Sequence, residues 1–284
     1  MKIGLLMVFH EATARPAEFA QAAEELGFES LWVPEHPVMP VNPATPFPQG
    51  GSIPDVYSHM SDQFVCLAMA AATTKRLKLA TGITLVPEHN PIVAAKQIAT
   101  LDNFSGGRVI YGIGAGWLRE ESEILGVDFP RRWTQTAEYV AAMRALWSQP
   151  EAAFDGRYVK FPPVRSYPKP ARPNGPPVLL GSRDRNALKR VAQWGDGWFP
   201  NRVSPDDMKR DLAALREECR AAGREFGALD ITVMGGIPGD RAAVQAELER
   251  FAEAGVGRFV LGLGTLGPDD YRERLAKTAA LYIS

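Results

Sequence analysis

The chain has 284 residues, of which 45% are hydrophobic and 23% are charged, so it can bury a large core. We expect one domain over residues 1–284, because α/β barrels commonly use about 250 residues as a single domain. The 32 basic and 33 acidic residues give a net charge of -1, which excludes the strong positive field that would attract a nucleic acid.

The expected compartment is the cytoplasm, with no membrane association. No stretch reaches the roughly 20 uninterrupted apolar residues that a bilayer span requires. The apolar run 3–9 continues directly into His10 and Glu11 without a cleavage site, so it is interpreted as a first strand. Cys66 and Cys219 are far apart and predict neither a disulfide framework nor a zinc site.

Eight short apolar runs alternate with longer helical patterns along the chain. The predicted strands are 3–9, 30–33, 77–85, 108–113, 177–180, 197–200, 230–234 and 258–263. The predicted helices are 16–26, 62–73, 91–104, 133–147, 184–194, 204–222, 240–253 and 268–281. Candidate helix N-caps precede a proline at Asn90, Ser204 and Gly267.

Apolar strands separated by amphipathic helices predict a parallel sheet that is covered by helices. Eight units favour a closed (β/α)8 barrel over an open Rossmann-like sheet, which would be expected to carry glycines in its first βα turn. Residues 9–15 contain none. Two insertions interrupt the pattern: residues 38–58 after the second strand, and residues 149–176, with a hairpin at 154–161, before the fifth. Long loops are usually functional or disordered, so we expect the first to form part of a substrate pocket.

The most reactive pair of side chains is Glu35 and His36, at the end of the second predicted strand. Catalytic groups of barrel enzymes lie at this end of the strands. A histidine can exchange a proton near neutral pH, and the adjacent carboxylate can hydrogen-bond to a cofactor or to a neighbouring residue. We interpret both as catalytic; the alternative is a loop histidine bonded to the backbone beside a surface glutamate. Successive strand residues point in opposite directions, so the two are expected to have different partners.

Glycines at the ends of predicted strands indicate where a flat ligand can approach the backbone. The end of the fifth strand, before a helix, is also a candidate anion site, which Arg183, Arg185 and Arg202 could supplement. Ordinary turns and surface arginines are the alternatives. No metal-ligand spacing, nucleophile elbow or phosphate-binding P-loop is present. The candidate cofactor-binding residues are Gly82, Ile83, Gly114, Ala115, Gly116, Gly181, Ser182 and Asn201.

The chain resembles the luciferase-like monooxygenase superfamily, in particular its F420-dependent oxidoreductase branch. The resemblance is carried by residues 90–102, 105–108 and 112–117, with further matches at 26–28, 32–36 and 195–200. It implies a barrel whose cofactor ring lies over a bulge at the end of the third strand, with a non-proline cis peptide at Gly82-Ile83. It also implies that the acid-histidine pair is Glu35 and His36, and that Gly181, Ser182 and Asn201 lie near the cofactor phosphate.

The function implied by the resemblance is hydride transfer between coenzyme F420 and a small organic substrate, often in a homodimer. We expect the apolar helix 62–73 to contribute to the dimer contact. An FMN-dependent monooxygenase that receives reduced flavin from a partner reductase is the first alternative, and a non-catalytic cofactor-binding protein is the second. Sugar-phosphate dehydrogenases of this branch place a glutamate where this chain has Trp117, which argues against a sugar-phosphate substrate.

Overall fold

Eight parallel strands close into a barrel in the computed structural model, which describes residues 1–283. The strands are β1 (Lys2–Leu6), β2 (Ser30–Val33), β3 (Lys78–Thr81), β4 (Val109–Gly114), β5 (Val178–Leu180), β6 (Gly197–Trp198), β7 (Asp230–Gly235) and β8 (Arg258–Gly262). Each strand pairs with the next, and β8 pairs with β1, so the ring is complete. The predicted (β/α)8 barrel is therefore confirmed.

Helices cover the outside of this barrel. They are α1 (Pro16–Glu25), α2 (Gln63–Thr73), α3 (Pro91–Phe104), α4 (Arg119–Ile124), α5 (Arg132–Ser148), α6 (Ala187–Trp194), α7 (Pro205–Ala221), α8 (Arg241–Ala254) and α9 (Tyr271–Tyr282). The predicted caps at Asn90 and Ser204 are confirmed, since each side chain accepts backbone N–H groups of its helix. The cap at Gly267 is wrong: it has no side chain that can accept an N–H, and α9 begins only at Tyr271, after a turn.

The interior of the barrel is filled around Trp32, which is fully buried and lies 4.3 Å from Phe199 between ring centroids. Leu6, Ala80, Ile110, Leu179 and Val260 complete this inner cluster. Glycines make room for the large indole: a Cβ at Gly4 would lie 2.9 Å from Trp32 Nε1, and one at Gly112 would lie 3.2 Å from Trp32 Cζ3. The interior is thus packed, and ligands are confined to its mouth.

Buried arginines hold the opposite end of the barrel, where the strands begin. Arg108 donates to backbone oxygens of Ser105 and Leu77 and to the hydroxyl of Thr74. Arg258 pairs with Glu29 and Asp230, both at 2.8 Å. Residues 105–108, which carry part of the family resemblance, therefore stabilise the end of the barrel that is remote from the candidate site.

The two predicted insertions have defined structures. Residues 38–58 are mostly irregular and lead into the 3₁₀ helix Asp55–His59. The second insertion contains the predicted hairpin, in which Ala152–Asp155 pairs antiparallel with Lys160–Val164. Among residues 1–283, no helix combines the length and the apolar character needed to cross a membrane.

Candidate active site

A cavity of about 140 Å³ lies at the mouth of the barrel, where β3, β5, β6 and β7 end. Five of the predicted cofactor-binding residues line it together, although they come from three separate parts of the sequence. The lining residues are Gly82, Ile83, Gly181, Ser182, Arg183, Phe199, Pro200, Asn201 and Met234. The shared position follows from the parallel topology, which brings the carboxyl ends of all strands to one face.

Ile83 forms one wall of this cavity, and the Gly82-Ile83 peptide bond is cis, as the resemblance implied. Two of the predicted glycines make room for the Ile83 side chain. A Cβ at Gly114 would lie 2.2 Å from Ile83 Cδ1, and a Cβ at Gly181 would lie 2.8 Å from Ile83 Cγ2. Gly114 therefore has a packing role in this structure that the sequence pattern did not predict.

The remainder of the glycine-rich turn packs inward. Gly116 has a φ of 81°, and a Cβ there would lie 2.9 Å from Glu88 Oε1. Ala115 is buried. Neither residue lines the cavity, nor does Gly114, so contact between Gly114, Ala115, Gly116 and a cofactor stays a prediction.

The chemistry of the cavity suits a flat ring with a charged tail. Ile83, Phe199 and Met234 are apolar, whereas Ser182, Arg183 and Asn201 provide polar groups. Such a combination of an apolar wall and a few polar groups is typical of cofactor sites. The Ser182 hydroxyl donates to Asp184 Oδ2 at 2.7 Å, and Asp184 pairs with Arg190, so the expected anion site already contains a carboxylate.

His36 is held by a glutamate that the sequence analysis did not select. The distance from His36 Nδ1 to Glu121 Oε2 is 2.6 Å, and both side chains are buried. A carboxylate accepts hydrogen bonds, so Nδ1 carries the proton of this bond. On the other side of the ring, Trp117 Nε1 lies 3.4 Å from Nε2. His36 Nε2 is therefore the unprotonated nitrogen; it accepts the long contact from Trp117, which a ligand would have to replace in order to exchange a proton.

The 38–58 insertion folds over this histidine. The ring of Tyr57 lies 5.0 Å from that of His36, and Phe47 contacts both Tyr57 and Trp117. Helix α4 anchors the insertion, because Glu120 Oε1 accepts the backbone N–H groups of Ala44 and Thr45 at 2.8 and 3.0 Å. The insertion therefore lies beside His36, and its contribution to a substrate pocket stays a prediction.

Glu35 points away from His36, as the alternation of strand side chains predicted. Its Oε1 accepts the backbone N–H of Leu85 at 2.5 Å and lies 2.9 Å from His89 Nε2. Glu121, and not Glu35, therefore binds the imidazole of His36. Burial alone would lower the pKa of His89, but the hydrogen bond and charge of Glu35 raise it.

Glu88 is a third buried carboxyl group in this region. Burial is the main cause that raises the pKa of Glu88 to about 8, and the nearby charges of Glu121 and Glu35 raise it further. Its Oε1 accepts the hydroxyl of Ser122 at 2.7 Å, and its Oε2 is buried without a hydrogen-bond partner. Glu88 is therefore mostly protonated at neutral pH.

Sequence reasoning thus found His36 but missed Glu121, Glu88 and His89. The only available signal for Glu121 was its place shortly after β4, on the catalytic face of the barrel. Within residues 1–283, the structure contains no group of three or more potential ligands that could hold a metal ion.

Comparison with known proteins gives several relatives. An uncharacterized protein of Mycobacterium tuberculosis is 39% identical over 288 residues, covering 99% of this chain and 99% of that protein. An F420-dependent glucose-6-phosphate dehydrogenase of Kineococcus radiotolerans is 31% identical, covering 78% of this chain and 63% of that protein. An FMNH2-dependent dimethylsulfone monooxygenase of Pseudomonas putida is 27% identical, covering 70% of this chain and 57% of that protein.

Solved structures share the fold over nearly the whole chain. A monooxygenase from Streptomyces bottropensis has a TM-score of 0.80 at 21% identity, covering 99% of this chain and 97% of its own. The F420-dependent tetrahydromethanopterin reductase from Methanopyrus kandleri has a TM-score of 0.77 at 19% identity, covering 100% and 99%. The sequence model of the luciferase-like monooxygenase family matches residues 1–256. This match, together with the shared barrel, shows that the chain belongs to the luciferase-like monooxygenase family of oxidoreductases and monooxygenases.

Proposed function

We propose that this protein is an F420-dependent oxidoreductase that transfers a hydride between the deazaflavin and a small organic substrate. The observation that carries the proposal is His36, whose Nδ1 is bound by Glu121 while its Nε2 is left for proton exchange. A carbonyl that gains a hydride must also gain a proton, and an alcohol that loses a hydride must also lose one. A histidine at the barrel mouth suits either direction.

The residues that would hold the cofactor line the cavity at the ends of β3, β5 and β6. F420 would supply the hydride chemistry there, and the protein supplies orientation and control of the proton. Ile83 and Phe199 provide an apolar surface for the ring, and Ser182, Arg183 and Asn201 provide polar groups for the phosphate-bearing tail. The rings of Tyr57 and Trp117 contact His36, Phe47 packs against both of them, and this apolar surrounding favours an uncharged substrate.

The choice of F420 over FMN is supported by charge. The tail of F420 carries a phosphate and several carboxylates, whereas FMN carries a single phosphate, so more arginines suit the deazaflavin. Arg183 lines the cavity, and its guanidinium lies 3.4 Å from the backbone oxygen of Arg202. Both side chains are exposed, so ions in solution should screen their attraction for a ligand.

Fluorescence titrations at low and high ionic strength test this choice. We expect F420 to bind more tightly than FMN, and the difference to shrink as salt increases. Arg183→Ala should weaken F420 binding, whereas Lys189→Ala, an exposed control on α6, should not. FMN binding as tightly as F420 would instead support the FMN-dependent monooxygenase, a candidate that the Pseudomonas putida relative favours. Tight binding without turnover of any tested substrate would favour a non-catalytic protein.

We also propose a homodimer that forms through the exposed apolar face of α2 and α3. Val65 and Phe104 are 60% and 82% exposed, and a groove of about 530 Å³ runs between the two helices. Large exposed apolar patches commonly mark protein interfaces. Residues 62–73, for which we expected a dimer contact, form part of this face.

A further inference from the structure

We propose that Glu121 is a positioning residue, which fixes the proton of His36 on Nδ1 and so reserves Nε2 for exchange with the substrate. Its importance for turnover rests on the proposed function, whereas its effect on the imidazole does not. Glu121 comes from α4, 85 residues away in sequence, and no pattern in the chain links it to His36.

The contacts of the His36 ring favour one tautomer. Neutral imidazole has one N–H donor and one acceptor, and the partner of one nitrogen decides the role of the other. Glu121 Oε2 lies 2.6 Å from Nδ1, and the Glu121 side chain is completely buried, so the carboxylate cannot turn toward solvent. On the other side of the ring, Trp117 Nε1 lies 3.4 Å from Nε2. Indole N–H is a donor, so this contact also favours an unprotonated Nε2.

The buried glutamates of this region have different partners. Three glutamates are buried in this region, and two of them have a histidine partner: Glu35 pairs with His89, and Glu121 pairs with His36. Glu88 has no cationic partner; it accepts the hydroxyl of Ser122, and its second oxygen has no partner. Glu121 is therefore the buried glutamate that pairs with His36.

The unpartnered oxygen of Glu121 shows how much this carboxylate depends on His36. Oε1 of Glu121 is buried without a hydrogen-bond partner, so the hydrogen bond with His36 is the main stabilising contact of this carboxylate. Burying a charge without a partner is costly, and the imidazole N–H provides one.

Three groups face the His36 ring: Trp117 after the end of β4, Glu121 on α4, and Tyr57 in the insertion. When a substrate O–H bond breaks, an Nε2–H bond forms, and the ring becomes imidazolium beside the carboxylate.

The test is ¹⁵N NMR of the histidine side chains in the protein without added cofactor. The chain has four histidines, and the His36→Ala spectrum assigns the signal of His36. We expect the wild-type ring to carry its proton on Nδ1 at neutral pH. Glu121→Gln should increase the population with the proton on Nε2. Glu123→Gln, an exposed residue on the same helix, is the matched control and should leave the spectrum unchanged.

Turnover gives a second measurement. Glu121→Gln should lower kcat roughly 100- to 10,000-fold with little change in KM or cofactor affinity, as a misplaced imidazole proton does in other enzymes. An Nε2–H tautomer in the wild type, or the same tautomer in wild type and Glu121→Gln, would overturn the inference. If Glu121→Gln does not fold, the tautomer of His36 in the wild type still tests the inference. A shifted tautomer in a protein that does not turn over F420 would support Glu121 and reject the proposed function.

Discussion

His89 Nε2 lies 2.9 Å from Glu35 Oε1, so the carboxylate next to His36 in sequence is bound on the side away from the proposed substrate. The same oxygen accepts the N–H of Leu85, and this links the end of β2 to the segment after β3. Glu35 therefore holds the segment that follows Gly82 and Ile83 in the cavity wall. We expect its contribution to be structural, and measurement can separate it from that of His36.

We expect Glu35→Ala to lower the free energy of unfolding by about 3 kcal/mol, because it leaves His89 and the Leu85 N–H buried without their partner. Urea denaturation measures this change. Glu11→Ala is the control, since it breaks the exposed pair between Glu11 and His59 and should change stability little. Equal effects of the two substitutions would contradict a structural role for Glu35.

Replacement of the proposed catalytic histidine should separate chemistry from binding. We expect His36→Ala to lower turnover roughly 100- to 10,000-fold, the range typical of a lost general acid or base, while cofactor affinity changes little. Steady-state kinetics and a cofactor titration measure the two quantities. His59→Ala, at an exposed histidine, is the control. Unchanged turnover in His36→Ala would assign proton transfer to another group, and a large loss of affinity would make His36 a binding residue.

The raised pKa of Glu88 predicts a pH-dependent stability. Its folded pKa of about 8 lies above the ordinary value of 4.5, so the folded state binds the proton more tightly than the unfolded state. The resulting stability is fully present below pH 4.5 and is lost as the pH rises toward 8, a change on the order of a few kcal/mol. Glu88→Gln mimics the neutral form and should flatten this dependence. Denaturation at pH 5 and pH 8.5 measures it, with Glu123→Gln as control. The same pH dependence in Glu88→Gln and wild type would contradict the assignment.

The proposed dimer should depend on the apolar face of α2 and α3. Phe104→Glu places a charge on the most exposed aromatic side chain of that face and should produce a monomer. Light scattering at micromolar concentration measures the mass. Val41→Glu changes an exposed apolar residue of the insertion, away from this face, and should leave the mass unchanged. A monomeric wild-type protein would reject the proposal directly.

Local patterns predicted most of the fold. The range 30–33 agrees with β2 and 91–104 with α3, because strand and helix periodicity and the Asn90 cap are encoded by neighbouring residues. Helix α4 was missed, since its six residues are too few to show a helical period. The predicted strand 77–85 is divided in the structure into β3 and Thr84–Leu85, with the Gly82-Ile83 bulge between them.

The candidate site was predicted less completely than the fold. Parallel topology alone placed Gly82, Gly181 and Asn201 around one cavity, because all three follow strand ends. The pairing of His36 with Glu121 depends on how α4 packs against the barrel mouth, and contacts between distant residues leave no local pattern. For the same reason, the sequence carried no signal for the pairing of Glu35 with His89.

Helix α4 attaches the 38–58 insertion through Glu120, which accepts the backbone N–H groups of Ala44 and Thr45 and also hydrogen-bonds to the Thr45 side chain. At position 44 this contact places no requirement on the side chain, apart from the exclusion of proline, which has no N–H. Position 44 can therefore vary during evolution while the attachment of the insertion and the neighbouring Glu121 stay in place.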